Sequence, residues 1–157
     1  MTIPPAPRTN LREITRRILA RYIATPRHRT WAFDGYDEAT PSLAAWSAGV
    51  ALGAWSTDPD LPDWASSLTY HLTNHTVATI ASHRYVVTAS LDRDHAAISV
   101  MALRGRITAE FAPAACPAVQ RLSRKAGHIP LPAGPLAYAV IGLPTPGPLP
   151  HPPSEPG

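Results

Sequence analysis

Cysteine is almost missing: Cys116 is the single one in 157 residues. An intramolecular disulfide is therefore impossible and a multi-cysteine zinc site is excluded, so any metal would have to rely on histidines and carboxylates. Lysine is equally scarce, since Lys125 is the one lysine among 14 basic residues. Alanine, proline and arginine are used heavily instead, the bias expected of GC-rich codons. That points to a bacterial source of high GC content, and it weakens arguments from arginine abundance alone. Long apolar runs are lacking as well. The start, MTIPPAPRTN, contains no apolar stretch of signal-peptide length, and Leu43 to Trp55 and Leu136 to Leu143 are too short to span a bilayer. The expectation is a cytoplasmic protein without an integral membrane segment. No Gly-rich phosphate loop, nucleophile elbow or dinucleotide fingerprint occurs, so no cofactor or reaction is named by a motif.

What is present is a chain the length of one ordinary domain, 45% hydrophobic and 16% charged, with enough apolar residues to bury a sizeable core. Its net charge of +3 is segregated. Residues 1–30 carry Arg8, Arg12, Arg16, Arg17, Arg21, Arg27 and Arg29 against Glu13, a net of +6. Residues 31–83 contain Asp34, Asp37, Glu38, Asp58, Asp60 and Asp63 and no lysine or arginine, a net of −6. The remainder is mildly basic.

Asn10 and Glu13 resemble a capping box, after which Leu11, Ile14, Ile18 and Tyr22 recur at helical spacing until Thr25-Pro26. A basic amphipathic helix is predicted over 11–24, its apolar stripe flanked by Arg12 and Arg16 on one side and Arg17 and Arg21 on the other. An aromatic, acidic loop from Trp31 to Thr40 follows. Pro41 then opens a second helix whose face is marked by Leu43, Trp46, Val50 and Ala54, and its near lack of polar residues predicts burial. A third helix is predicted from Asp58 or Asp60 to about Asn74, with Trp64, Leu68 and Leu72 facing inward. From Val77 the period becomes alternating. Strands are expected around Tyr85–Leu91, Ile98–Ala102 and, after Gly105, Ile107–Phe111, as an antiparallel meander. A helix from Pro113 to about Lys125, closed by Gly127, is expected next. Residues 136–143 either add a strand or do not.

The domain reading is a single α+β unit over 1–143, with amino-terminal helices packed on an antiparallel meander of three to five strands and a helix after the third strand. Within it lie a basic helical start (9–25), an acidic helical middle (31–75) and a meander plus helix (77–127). A Pro-rich tail over 144–157 is expected to be disordered. The order of a helix, three strands and a helix is similar to that of double-stranded RNA-binding domains. The likeness is one of element order alone and covers less than half of the chain. The second helix, which in that family opens on a basic cluster, here opens on Pro113-Ala-Ala-Cys116, so no family is assigned.

Four groups of residues bear on chemistry. His71 and His75 lie one helical turn apart and His83 follows, a set that could chelate zinc or a similar divalent ion. The bland alternative is polar positions at a helix end. Cys116 near a helix start could carry a depressed thiol pKa, against the plainer reading of a small buried residue. The carboxylates Asp34, Asp37, Glu38, Asp58, Asp60 and Asp63 could hold a cation, but their Pro-rich turns favour capping roles. Finally, Arg12, Arg16, Arg17, Arg21, Arg27 and Arg29, with His28 and Trp31 beside them, suit phosphate neutralisation and base stacking. The competing reading is internal, a +6 arm packed on a −6 segment. The expectation is thus a non-catalytic binding or regulatory accessory protein, with nucleic acid the favoured ligand of the arginine-rich region. Two alternatives stay open: a small enzyme or metal protein using His71, His75 and His83, and a protein-interaction or homodimer module using the Trp-rich stretch 43–64.

Overall fold

The computed structural model describes residues 27–144. These form a mixed helix and antiparallel-sheet fold in two layers, in line with the expected α+β class. Strand β1 (Arg27–Asp34) leads into the helix pair α1 (Thr40–Trp55) and α2 (Leu61–Thr79). Then come β2 (Ile80–Ala81), β3 (Arg84–Leu91), β4 (His95–Ala102) and β5 (Arg106–Ile107), a 3₁₀ turn at Pro113–Ala115, and α3 (Pro117–Leu122). β6 (Lys125–Leu131) and β7 (Gly134–Gly142) complete the fold. The five long strands make one antiparallel sheet in the order β1-β3-β4-β7-β6, and β2 pairs with β5 in a small second sheet.

Alternation along the strands decides which side the helices cover. Tyr85, Val87, Ala89 and Leu91 of β3, Ala96, Ile98, Val100 and Ala102 of β4, and Ala137, Ala139 and Ile141 of β7 are buried against Ala44, Ala48 and Leu52 of α1 and Leu61, Ala65, Leu68 and Leu72 of α2. The strand positions between them, among them Val86, Ser99, Met101 and Tyr138, occupy the other side of the sheet and are partly exposed. Among the described residues no helix is long and apolar enough to cross a membrane.

Several elements differ from the sequence reading. The predicted helix over 11–24 and all but Pro144 of the tail lie outside the described residues. Residues 31–34, expected in a loop, end strand β1, which pairs with β3 from Arg27↔Leu91 to Asp34↔Arg84. β1 is an edge strand, and only Trp31 and Phe33 lie against the core, so its alternation is too short to read. The turn begins one residue later: the Asp34 carboxylate accepts the Tyr36 amide at 2.9 Å and the Thr40 hydroxyl donates to the Asp34 carbonyl at 2.6 Å.

α2 runs on to Thr79 through a stretch expected to start the strands. Two of its buried threonines turn their hydroxyls back onto the helix, Thr69 to the Ala65 carbonyl and Thr76 to that of Leu72, so these β-branched residues sit in the helix with their donors satisfied, whereas the buried Thr73 hydroxyl has no partner among the described residues. The expected third strand of the meander is the short β5; β4 instead takes β7 as its second neighbour, and the question left open for 136–143 resolves as strand through Gly142, with Leu143 outside it. Beyond β5 the Thr108 amide bonds to the Thr79 carbonyl at 2.8 Å and the chain leaves the ladder.

The expected helix from 113 to 125 is broken in two. Cys116 precedes Pro117, and the proline ring pushes the residue before it into extended backbone, here φ −70° and ψ 118°. α3 therefore begins afresh at Pro117 and stops at Leu122. Gly127, expected to close that helix, lies in β6, where the Tyr138 side chain of β7 covers it. Pro130 is tolerated in β6 because that strand is the other edge of the sheet.

Candidate interaction face

The sixteen residues of α1 include no charged side chain. A helix without a polar face has no phase by which sequence fixes its inner side, and size decides instead. Its small residues Ala44, Ala45, Ala48 and Ala51, with Leu52, form the buried side, which lets the helix approach the sheet closely. The face marked by Leu43, Trp46 and Val50, expected to be buried, is turned outward. These three side chains are 44%, 69% and 52% exposed.

α2 lies against α1 in the opposite chain direction, and contact is closest where α1 has glycine. A Cβ at Gly49 would stand 3.2 Å from the Pro62 carbonyl oxygen and from the Ser66 Cβ, and one at Gly53 would stand 3.1 Å from the Pro62 ring. Toward the start of α1 the helices leave an open groove of about 390 Å³ lined by Ser42, Ala45, Trp46, Asp63, Ser66, Ser67 and Tyr70. Trp46 forms one wall and Tyr70 of α2, 40% exposed, the other. Small hydroxyl residues floor it, and Asp63 supplies its one charge. Asp37 and Glu38 precede α1 and Asp58 and Asp60 follow it, so acidic groups stand at both ends of the exposed apolar row. Trp64, expected to face inward, points toward α3 and donates its indole N–H to the Leu122 carbonyl at 2.6 Å.

Of the six arginines proposed to contact nucleic acid, Arg12, Arg16, Arg17 and Arg21 lie outside the described residues. Arg27 donates from Nη1 to the Trp55 carbonyl, at the last residue of α1, where the unpaired carbonyls and the helix dipole favour a cation. The Arg29 guanidinium carbon stands 5.8 Å from the Trp31 ring centroid, a cation–π distance. The carboxylates act locally: Asp34, Asp37 and Asp58 each accept the backbone amide two residues on.

His71, His75 and His83 are not assembled into one site. His71 packs edge-on against Tyr70, with ring centroids 5.4 Å apart, and His83 is exposed beside Gly35, whose amide bonds to the His83 carbonyl at 2.9 Å. Among the described residues no group of three His, Cys, Asp or Glu side chains could hold a metal. Cys116 is partly buried against the core at the extended residue before α3.

His75 has a structural partner set. Its Nε2 accepts the Ala112 amide at 3.2 Å, so the ring proton of the neutral form belongs on Nδ1. Its ring stacks on Phe111 at 6.0 Å, and Phe111 meets His128 of β6 at 5.1 Å. Burial lowers the His75 pKa from its ordinary value of 6.5. The neutral ring therefore contributes stability above pH 6.5, and this is lost as pH falls below 6.5 toward the depressed value, because the unfolded chain protonates first. Urea midpoints measured at pH 7.5, 6.5 and 5.5 are expected to fall with acidity. His75→Gln, which keeps an acceptor for the Ala112 amide, is expected to flatten that fall.

No family model matches the chain, and no curated protein matches it.

Proposed function

We propose that the protein is a binding module that works by protein–protein contact through the outer face of α1 and α2, and that the partner presents a helix with an apolar stripe and basic flanks. The observation that carries this reading is the outward row of Leu43, Trp46 and Val50 on a helix without charge, with Tyr70 across the groove. Adjacent exposed large apolar side chains on an otherwise polar surface mark interaction sites, and aromatic residues dominate the affinity of such sites. Asp63 in the groove and the acidic groups at both ends of α1 select a cationic partner. Protein contact is preferred to nucleic acid because Arg27 and Arg29, the two described arginines of the basic region, already have partners within the fold.

A fluorescent 18-residue peptide with leucines at helical i, i+3, i+4, i+7 spacing and arginines beside them, and a twin with glutamate for every arginine, are suitable probes. The basic peptide is expected to bind the full chain, and Trp46→Ala to weaken it about tenfold or more, the effect of losing one aromatic anchor. Met101→Ala, on the opposite side of the sheet, should leave binding unchanged. Equal binding of the two peptides, or unchanged binding by Trp46→Ala, would overturn the reading. Capture of single-stranded DNA with steep salt dependence and no peptide binding would favour nucleic acid instead.

A further inference from the structure

We propose that the face of α1 and α2 is occupied in the resting protein by the chain's own residues 11–24, which act as an intramolecular stand-in for the partner helix; this rests on reading that face as the docking site. The chemistry of the segment matches the face. Leu11, Ile14, Ile18 and Tyr22 form a stripe at helical spacing that spans as many residues as Leu43 to Ala54 on α1, and Arg12, Arg16, Arg17 and Arg21 flank it. Those arginines meet a surface bordered by the acidic residues Asp37, Glu38, Asp58, Asp60 and Asp63, with Arg27 at the end of α1 as a basic neighbour already engaged on the Trp55 carbonyl.

The tether has the right place and length. The chain enters the described fold at Arg27, and the Arg27 guanidinium is fixed on the Trp55 carbonyl at the end of α1. Only residues 25 and 26 separate the segment from that anchor, a reach of about 10 Å when extended, comparable with one helix diameter. In the proposed placement Tyr22 lies beside Val50 and Ala54, and Leu11, eleven residues earlier, falls near Leu43 at about 1.5 Å per residue. A short tether gives an effective concentration of about a millimolar, which an external helix of the same chemistry must outcompete. The basic arm then has a regulatory use. It sets the threshold at which a partner is taken, and its release uncovers the apolar row.

The test compares the full chain with its Ile14→Glu, Ile18→Glu double variant, using the basic peptide as probe. The variant is expected to bind the peptide about tenfold or more tightly, since the internal competitor is lost. Equal affinity of the two proteins overturns the proposal and leaves the docking face standing, whereas no binding to either protein overturns both. A second measurement guards against misfolding. In a Cys116→Ser background, Ile18→Cys with Val50→Cys is expected to give an intramolecular disulfide on mild oxidation, faster than Ile18→Cys with Met101→Cys. A covalent dimer would assign the segment to a second copy, and equal rates for the two pairs would remove it from this face; either result overturns the proposal.

Discussion

Gly134→Ala is expected to destabilise the fold by about 4 kcal/mol, a large fraction of the 5–15 kcal/mol typical of a domain. Gly134 opens β7 with φ +149°, a region that residues bearing a Cβ rarely adopt. A Cβ there would lie 1.9 Å from the Ala102 carbonyl oxygen and 3.1 Å from the Arg104 amide nitrogen. Both atoms are backbone, so no side-chain rotation relieves the contact. They are also engaged: the Ala102 carbonyl accepts the Gly105 amide at 3.0 Å, and the Arg104 amide donates to the Ala133 carbonyl at 2.7 Å. Relief requires the tip of the β6–β7 hairpin to withdraw from the end of β4, where the register Met101↔Leu136 begins. Backbone strain of about 1–3 kcal/mol adds to the lost bonds. Urea unfolding of the variant measures the sum, and a loss under about 1 kcal/mol would contradict the argument.

The same comparison of local pattern with tertiary demand explains which parts of the fold were readable from sequence. Tyr85, Val87, Ala89 and Leu91 alternate cleanly because β3 lies in the middle of the sheet with one side on the core. β1 was hidden because its first four residues are exposed and only Trp31 and Phe33 bear on the core. The break at Pro117 carried a local signal, the conformational restriction of Cys116, which the helical spacing of Val119 and Leu122 masked. α2 outran its expected end because burial and hydroxyl back-bonds held Thr76 and Thr79 in a helix that propensity alone disfavours.

The proposed interaction face was legible only in part. That 43–64 could serve an interface followed from its tryptophans, but the direction of the row did not, because α1 is apolar on every side and its alanines, not its large residues, seat it. The partner of Arg27 was beyond reach of any local pattern, since the Trp55 carbonyl is 28 positions away in the chain.

Leu68→Ala should separate what holds these helices from what they present. Leu68 is fully buried between α2 and the sheet, in the cluster that includes Leu52, Leu72, Val87 and Ile98. Truncation removes the transfer free energy of the side chain and leaves a cavity that the close-packed alanines around it cannot fill, at a cost of about 3–4 kcal/mol. The urea midpoint is expected to fall by on the order of 2 M with little change in slope. The groove side chains are displaced from Leu68 around the helix: Ser67 precedes it by about 100° and Tyr70 follows by about 200°. In conditions where Leu68→Ala remains folded, its affinity for the basic peptide is therefore expected to stay within about threefold of the unsubstituted chain. Trp46→Ala reverses the pattern, keeping most of the stability and losing the peptide, because its 69% exposure leaves little area for folding to bury. Stability and binding then reside on opposite sides of one helix pair, and a Leu68→Ala protein that is folded yet fails to bind would show that the two are coupled through the seating of α2.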